Sequence, residues 1–281
     1  MGTNSEKHAR QKAHRDRLSA ARQEVEAKQR RNRTIGIIGA VVGVLVIIVG
    51  IVVLTGGDDD ETVTTGDSTA TTTTAADGEG SLPEPPPGIT LTETTPCPPA
   101  AGAEERVEKF AGPPPDCLDP AMDYTATFTT TEGDFTATLD AEAAPSTVNN
   151  FVVLSRYRYY DGVPFHRVVP GFVIQAGDGD GAPWGNNDLG YSIADELPAD
   201  ASAYTDYSLA MANSGPDTNG SQFFVVLPGG GTQLQPLYSF FGQVTEGQDV
   251  VDTIGGLGGA SEAPSKTVLI ESVTIAETPK A

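Results

Sequence analysis

The chain has 281 residues and a net charge of −21, which is more than one average domain but not clearly two. Residues 1–34 hold ten Lys/Arg and four Asp/Glu, a balance of about +6, so the rest of the chain carries about −27. The chain has two cysteines and three histidines in all, so a metal site is disfavoured. We also expect no cofactor and no nucleic-acid partner.

The first apolar element is "IGIIGAVVGVLVIIVGIVVL", Ile35–Leu54, which contains no charged residue. As a helix it would span roughly 30 Å, the hydrocarbon thickness of a bilayer. A core helix this apolar would need a large protein around it, and a signal peptide usually has a shorter apolar region and a small-residue cleavage site. We therefore predict a retained single-pass anchor. The basic segment 1–34 should stay cytoplasmic, either as a topology signal or as a helix on anionic lipid, and the remainder should lie outside the cytoplasm.

Residues 55–96 are rich in Thr, Gly, Ala, Pro and acidic residues, which predicts a disordered linker that holds the outer domain away from the membrane. The segment 97–121 is bracketed by Cys97 and Cys117. Two cysteines in an oxidising compartment predict a disulfide, which would stabilise by about 3 kcal/mol in the chain-entropy model.

Residues 122–279 have the texture of a folded domain. "YTATFTTTEGDFTATLD" predicts a hairpin that turns at "TEGD", and "APSTVNNFVVLSRYRYY" predicts a helix with Pro145 in its first turn. Short strands broken by Gly, Pro and Asn follow, then a second helix at "TEGQDVVDTI" and a final strand at "KTVLIESVTIA". This order favours a mainly β barrel or sandwich with two helices.

Glutamines occur among apolar strand residues in two places. Because residues two apart in a strand share a face, Val173 lies beside Gln175, and Gln222 lies beside Phe224. Together with Arg167 nearby, they predict a shallow apolar pocket rimmed by amides, which suits a neutral, extended peptide.

Two longer segments resemble the signatures of a known family. "FHRVVPGFVIQAGD" and "MANSGPDTNGSQFF" are similar to those of the cyclophilin family of peptidyl-prolyl isomerases. The likeness extends over Tyr124 to Ile275, with "APSTVNNFVVL", "YYDGVPFHRV" and "FFGQVTEGQDVVDTI" in the family's order. The resemblance implies a closed eight-stranded antiparallel β-barrel capped by two α-helices, and peptidyl-prolyl cis-trans isomerase activity on proline-containing polypeptides.

The resemblance also implies roles for individual residues. It makes Arg167 the catalytic arginine. The best-known eukaryotic members carry a tryptophan where this chain has Gln233, and its replacement by glutamine disfavours cyclosporin sensitivity. This chain also has Tyr238 in place of a histidine and Val173 in place of a common methionine. The positions that match the substrate groove are Phe172, Val173, Gln175, Ala212, Asn213, Gln222, Phe224, Leu234 and Tyr238.

Two hypotheses follow for the outer domain. The first is a membrane-tethered, monomeric prolyl isomerase that assists the folding of secreted or envelope proteins. The second is a noncatalytic adaptor on the same fold that binds proline-containing peptides. Arg167 alternatively forms a surface ion pair, Phe172 and Phe224 alternatively fill a core, and His166 is expected to be structural.

Overall fold

The computed structural model describes residues 81–185 and 188–280, which belong to one compact unit. The predicted basic segment 1–34, the predicted anchor Ile35–Leu54 and most of the predicted linker, 55–80, lie outside these residues. No helix in the described part of the chain is both long enough and apolar enough to cross a bilayer.

The described residues form two α-helices and a larger number of short strands. Both predicted helices are present, as α1, Pro145–Arg156, and α2, Gln248–Gly255. The strands are β1 Ile89–Thr90, β2 Val107–Lys109, β3 Met122–Thr130, β4 Gly133–Leu139, β5 Val163–Pro164, β6 Arg167–Val169, β7 Val173–Ala176, β8 Ser208–Met211, β9 Phe223–Val226, β10 Phe240–Glu246 and β11 Leu269–Pro279.

The main sheet has nine strands in the order β5-β11-β3-β4-β10-β8-β9-β7-β6, and all of its pairs are antiparallel. The fold is thus mainly β with two helices, but the prediction of a closed eight-stranded barrel is wrong. No described ladder joins β5 to β6. Only Phe165 and His166 separate these two end strands, so the chain itself brings the ends of the curled sheet together. β5 and β6 thus act as two pieces of one interrupted strand, which raises the number of strands in the sheet to nine.

The predicted hairpin is confirmed as β3 and β4, with Thr130 paired to Gly133 at the turn. Alternate residues of β3 are buried and carry the side chains that fill the core, as period-2 patterning requires. Phe128 stacks on Phe135 across the hairpin with ring centroids 4.5 Å apart. Helix α1 inserts Phe151 against this pair, 5.9 Å from the ring of Phe128.

Helix α1 begins at Pro145, where a proline loses no intrahelical hydrogen bond. The predicted helical stretch extended to Tyr160, but the helix ends at Arg156. Arg158 has a φ of 57°, which a right-handed helix cannot accommodate. The chain therefore turns here and leads into β5.

The segment before the hairpin packs onto the domain. β1 and β2 pair in parallel, and the Ile89 amide donates to the Arg106 carbonyl at 2.9 Å. The prediction of a disordered linker is therefore wrong for residues 81–96. The predicted disulfide between Cys97 and Cys117 is present, with a Cα–Cα distance of 5.5 Å.

Candidate active site on the second face of the sheet

Strand alternation divides the residues of β6 to β9 between two faces. Val168, Ile174, Phe223 and Val225 point into the main core. Their neighbours point to the opposite face, because successive strand residues alternate. On that second face, hydrogen-bonded pairing puts one residue of each strand side by side across the sheet. This row consists of Arg167, Gln175, Phe224 and Ala210.

An apolar cluster separate from the main core occupies the same face, and we call it the groove cluster. Its buried members come from β7, β8 and β9 and from the chain just before β8 and after β9, with further side chains packed at the rim. Phe224 meets Tyr238 edge-on, with ring centroids 5.3 Å apart. Six of the predicted groove residues belong to this cluster. The buried members are Val173, Tyr204, Ala210, Phe224, Val226 and Leu234, and the half-buried ones are Phe172, Ala201, Ala212, Tyr238 and Phe240.

Tyr204 supports the groove cluster and was missed by the sequence analysis. Its hydroxyl donates to the Tyr238 carbonyl at 2.7 Å and accepts from the Tyr238 amide at 3.1 Å. Burial raises the pKa of Tyr204 to about 12, so the hydroxyl keeps its proton at neutral pH. The adjoining turn must carry Gly231, because a Cβ there would clash with the Tyr204 carbonyl oxygen.

The polar residues on this face form a chain of amides that begins at the arginine. Nη1 of Arg167 donates to Oε1 of Gln175 at 3.4 Å, and Nε2 of Gln175 donates to Oε1 of Gln222 at 3.0 Å. Nε2 of Gln222 then donates to the Asp178 carboxylate at 3.3 Å. Each glutamine is therefore oriented at both ends, and the Gln175 carbonyl faces the guanidinium.

A cavity of about 250 Å³ adjoins the amides, and we call it the amide pocket. Its position next to the amide chain follows from one backbone bond, from the Ala212 amide to the Gln222 carbonyl, at 2.9 Å. Asn213 is held by its own side chain, since Nδ2 donates to the Leu237 carbonyl at 3.0 Å. The residues lining the pocket are Gln175, Gly185, Ala212, Asn213, Ser214, Thr218, Gly220 and Gln222.

Arg167 also makes an ion pair, whose partner the sequence did not identify. Its Nε lies 2.6 Å from Oε2 of Glu262, in the loop between α2 and β11. The side chains of Arg167 and Glu262 are 33% and 52% exposed, respectively. The surface ion pair considered above is therefore real, but the same guanidinium also contacts the groove through Gln175. No local pattern marks Glu262, because it lies 95 residues away along the chain.

His166, next to the arginine, lies under Trp184, with ring centroids 6.2 Å apart and planes 12° from parallel. Neither ring nitrogen has a hydrogen-bond partner among the described residues. Burial, helped by the positive charge of Arg167, lowers the pKa of His166 to about 4. A neutral, covered imidazole is placed for packing rather than for proton transfer.

The ten predicted site residues thus converge on one face. The groove cluster holds the apolar residues, the amide pocket holds the amides, and Arg167 stands at the end of the amide chain. Within the described residues, no group of three or more His, Cys, Asp or Glu side chains is arranged to hold a metal ion. The arrangement can hold an extended peptide with an apolar side chain beside a guanidinium.

Comparison with known proteins points the same way. Residues 125–275 match the family model described as cyclophilin type peptidyl-prolyl cis-trans isomerase/CLD. A probable peptidyl-prolyl cis-trans isomerase A of Mycobacterium leprae is 39% identical over 169 residues, which are 54% of this chain and 91% of the relative. A putative peptidyl-prolyl cis-trans isomerase of Staphylococcus epidermidis is 36% identical over 177 residues, with 53% and 89% covered.

Solved structures agree with the sequence matches. The crystal structure of a Cryptosporidium parvum cyclophilin type peptidyl-prolyl cis-trans isomerase superposes with a TM-score of 0.51 at 29% identity, covering 56% of this chain and 99% of that chain. A second crystal structure of it, in the presence of the dipeptide ala-pro, gives a TM-score of 0.50 and covers 55% and 99%.

Proposed function

Because the chain belongs to the family of cyclophilin-type peptidyl-prolyl cis-trans isomerases, it is an enzyme of that class, and we propose that Arg167 and the groove cluster isomerise X–Pro bonds of secreted or envelope proteins outside the cytoplasm. The observation that carries the site assignment is the row in which Arg167, Gln175 and Phe224 are neighbours across three strands. It places a permanent positive charge and an apolar surface side by side.

The barrier to be lowered is rotation about a partial double bond. That rotation costs ~18–20 kcal/mol because the nitrogen lone pair is shared with the carbonyl, and for X–Pro bonds it takes tens to hundreds of seconds without a catalyst. No covalent bond breaks, so the reaction needs neither a nucleophile nor a cofactor. The enzyme has to bind the twisted bond more tightly than either planar isomer.

Arg167 supplies an interaction that exists only in the twisted state. There the prolyl nitrogen becomes pyramidal and its lone pair can accept a hydrogen bond. A guanidinium is always charged and carries five donors, so it can serve this acceptor at any working pH. One such donor contributes ~2–4 kcal/mol, by analogy with an oxyanion-hole donor.

The arginine is not sufficient by itself. An acceleration of ~10⁵ requires about 7 kcal/mol. We assign the remainder to the groove cluster, where Phe172, Val173, Phe224 and Leu234 hold the proline ring while the bond turns. Asn213 and Gln222 in the amide pocket hold the peptide backbone. The Cryptosporidium protein has also been crystallised in the presence of the dipeptide ala-pro, which contains the proline ring that this groove is proposed to hold.

A sequence pattern and a disulfide support the extracytoplasmic location. The sequence contains an uncharged stretch, Ile35–Leu54, after a basic segment, which is the order expected of a signal-anchor with a cytoplasmic N-terminus. The paired Cys97 and Cys117 suit an oxidising compartment. On this basis the isomerase domain is tethered to a membrane and acts on clients on its outer side.

An exchange assay on a short X–Pro peptide tests the site. We expect Arg167→Ala to lose ~10²–10³ in kcat/KM while its melting temperature stays within a few degrees, since the lost ion pair is exposed. Arg158→Ala is the matched control, because Arg158 is also an exposed arginine with a carboxylate partner, Asp161 at 2.8 Å. Full activity of Arg167→Ala would refute the assigned role. A wild-type protein that binds the peptide without accelerating exchange would indicate the adaptor.

A further inference from the structure

The loop between α2 and β11 places a carboxylate directly on the proposed catalytic arginine. Oε2 of Glu262 lies 2.6 Å from Nε of Arg167. The backbone of the same residue is bound to the same strand, since the Val168 amide donates to the Glu262 carbonyl at 2.7 Å. Both the side chain and the main chain of Glu262 are therefore anchored to β6.

The loop that presents Glu262 is closed on itself and packed closely against β6. Gly258 and Pro264 form a bridge, and the Ser265 amide donates to the Leu257 carbonyl at 2.7 Å. A Cβ on Gly258 would come within 2.6 Å of both the Val168 carbonyl oxygen and the ring of Pro170. The position of the Glu262 carboxylate is thus set by a compact loop rather than by a free side chain.

The backbone of Glu262 is in a conformation that suits glycine better. Its φ is 61°, in the left-handed region, where a side chain with a Cβ is disfavoured. Non-glycine residues held in this region carry backbone strain, and they cluster at functional sites. Within the described residues, the Glu262 carboxylate has one partner, Arg167. The contribution of this side chain is therefore to be sought at the arginine.

The contacts of the guanidinium show what that contribution is. Nε is held by Glu262 and Nη1 by Gln175, whereas Nη2 makes no hydrogen bond to any described residue. A planar fork gripped at two nitrogens keeps the third in a fixed direction. We propose that Glu262 is a positioning residue that orients Arg167 so that Nη2 is the donor left for the prolyl nitrogen. This inference rests on the proposed function of Arg167.

The size of the effect follows from exposure. An ion pair in which the two side chains are 33% and 52% exposed is screened by water and salt. Loss of such a pair should slow the chemical step by about two- to five-fold. The same screening gives a specific signature: the rate on an uncharged peptide should fall with added salt only while the carboxylate is present.

Two substitutions separate positioning from folding. Glu262→Gln keeps the size of the side chain and removes its charge, and Glu262→Gly removes the side chain and relieves the backbone. We expect both to lower kcat by about two- to five-fold with KM little changed. Glu262→Gly should at the same time raise the melting temperature. A purely structural residue could not make activity fall while stability rises.

The control is Glu132→Gln, which removes another ion-paired carboxylate. Glu132 lies 2.5 Å from the Lys266 ammonium. This substitution should leave kcat and its salt dependence unchanged. In an Arg167→Ala background, Glu262→Gln should have no further effect. If Arg167→Ala abolishes activity but Glu262→Gln equals or exceeds wild type at all salt concentrations, the positioning role is wrong and the catalytic arginine stands. If Arg167→Ala is fully active, the catalytic assignment fails and the positioning role fails with it.

Discussion

Arg106 donates from Nη2 to the carbonyl oxygen of Gly179 at 2.5 Å, which links the segment before the isomerase domain to the loop beside the amide pocket. The same guanidinium donates to the carbonyls of Tyr159, at 3.1 Å from Nη2, and of Pro86, at 2.6 Å from Nη1. Burial lowers the pKa of Arg106. One nearly buried arginine therefore connects three separate parts of the backbone.

Replacing Arg106 should destabilise the domain. Arg106→Met keeps most of the aliphatic stem but leaves the Tyr159, Gly179 and Pro86 carbonyls without this donor. We expect a loss of about 2–6 kcal/mol in the free energy of unfolding, because Tyr159 and Gly179 are buried while Pro86 is exposed, and each buried unsatisfied acceptor costs about 1–3 kcal/mol. Urea denaturation measures this, with the half-exposed Arg158→Met as control, expected within ~0.5 kcal/mol of wild type. Equal midpoints for Arg106→Met and wild type would contradict the structural role.

The disulfide should stabilise the same segment without contributing to the groove. Cys97 and Cys117 are 20 residues apart, so replacing both by serine should cost about 3 kcal/mol in the chain-entropy model. Exchange activity at 25 °C should persist, since no predicted groove residue lies between them. Thermal melts with and without reductant check the first expectation and the X–Pro assay the second. A double variant with the same melting temperature as the oxidised wild type would contradict the stabilising role of the disulfide.

The covered imidazole of His166 should make stability depend on pH. Its folded pKa is about 4, below the ordinary 6.5, because the neutral form is favoured by burial and by Arg167. As pH falls below 6.5 the unfolded chain takes up a proton that the folded one does not, so stability declines from there down to about pH 4 and then levels off. The contribution amounts to up to about 3 kcal/mol.

His166→Phe keeps an aromatic ring against Trp184 and removes the titrating group. The difference in unfolding free energy between this variant and wild type should shift in favour of the variant between pH 6.5 and pH 4. Denaturant titrations at several pH values measure that difference. Parallel pH profiles for the two proteins would show that His166 does not titrate as described.

Phe223 and Phe224 are adjacent in sequence but face opposite sides of β9, which offers a matched pair. Phe223→Ala should lower the unfolding free energy by about 3–5 kcal/mol and leave kcat/KM per folded molecule within about twofold. Phe224→Ala should lower kcat/KM by roughly tenfold or more, because about 1.5–3 kcal/mol of apolar contact with the proline ring is lost. Denaturation and exchange assays on both variants measure these effects. A larger loss of kcat/KM in Phe223→Ala than in Phe224→Ala would contradict the assignment of the two side chains to the core and the groove.

Much of the site was predictable because its signal is local. The period-2 spacing of Val173 with Gln175, and of Gln222 with Phe224, is sufficient to place the pairs on one face, and the two family signatures supply their roles. The hairpin and both helices follow from turn residues and apolar spacing in the same way.

The contacts that escaped prediction are those between distant residues. Glu262 lies 95 residues from Arg167, and Arg106 lies 73 residues from Gly179, within a polar stretch typical of a surface. The linker boundary was wrong for a related reason, because composition does not reveal that residues 81–96 find backbone partners in the domain. The prediction of eight strands in a closed barrel failed at Phe165 and His166, which lie between β5 and β6 and look like any other residues in a β-rich run.

Strand β11, the last strand in the described part of the chain, lies between β5 and β3 and pairs with both. A polypeptide that leaves the ribosome or a translocation channel N-terminus first therefore delivers the strand joining these two parts of the sheet last. Until it arrives, β5 lacks its only described partner, and Arg167 follows only a few positions after β5. The groove should accordingly become competent only after β11 has been made and has paired, and a truncation that removes β11 should silence a groove that contains none of the removed residues.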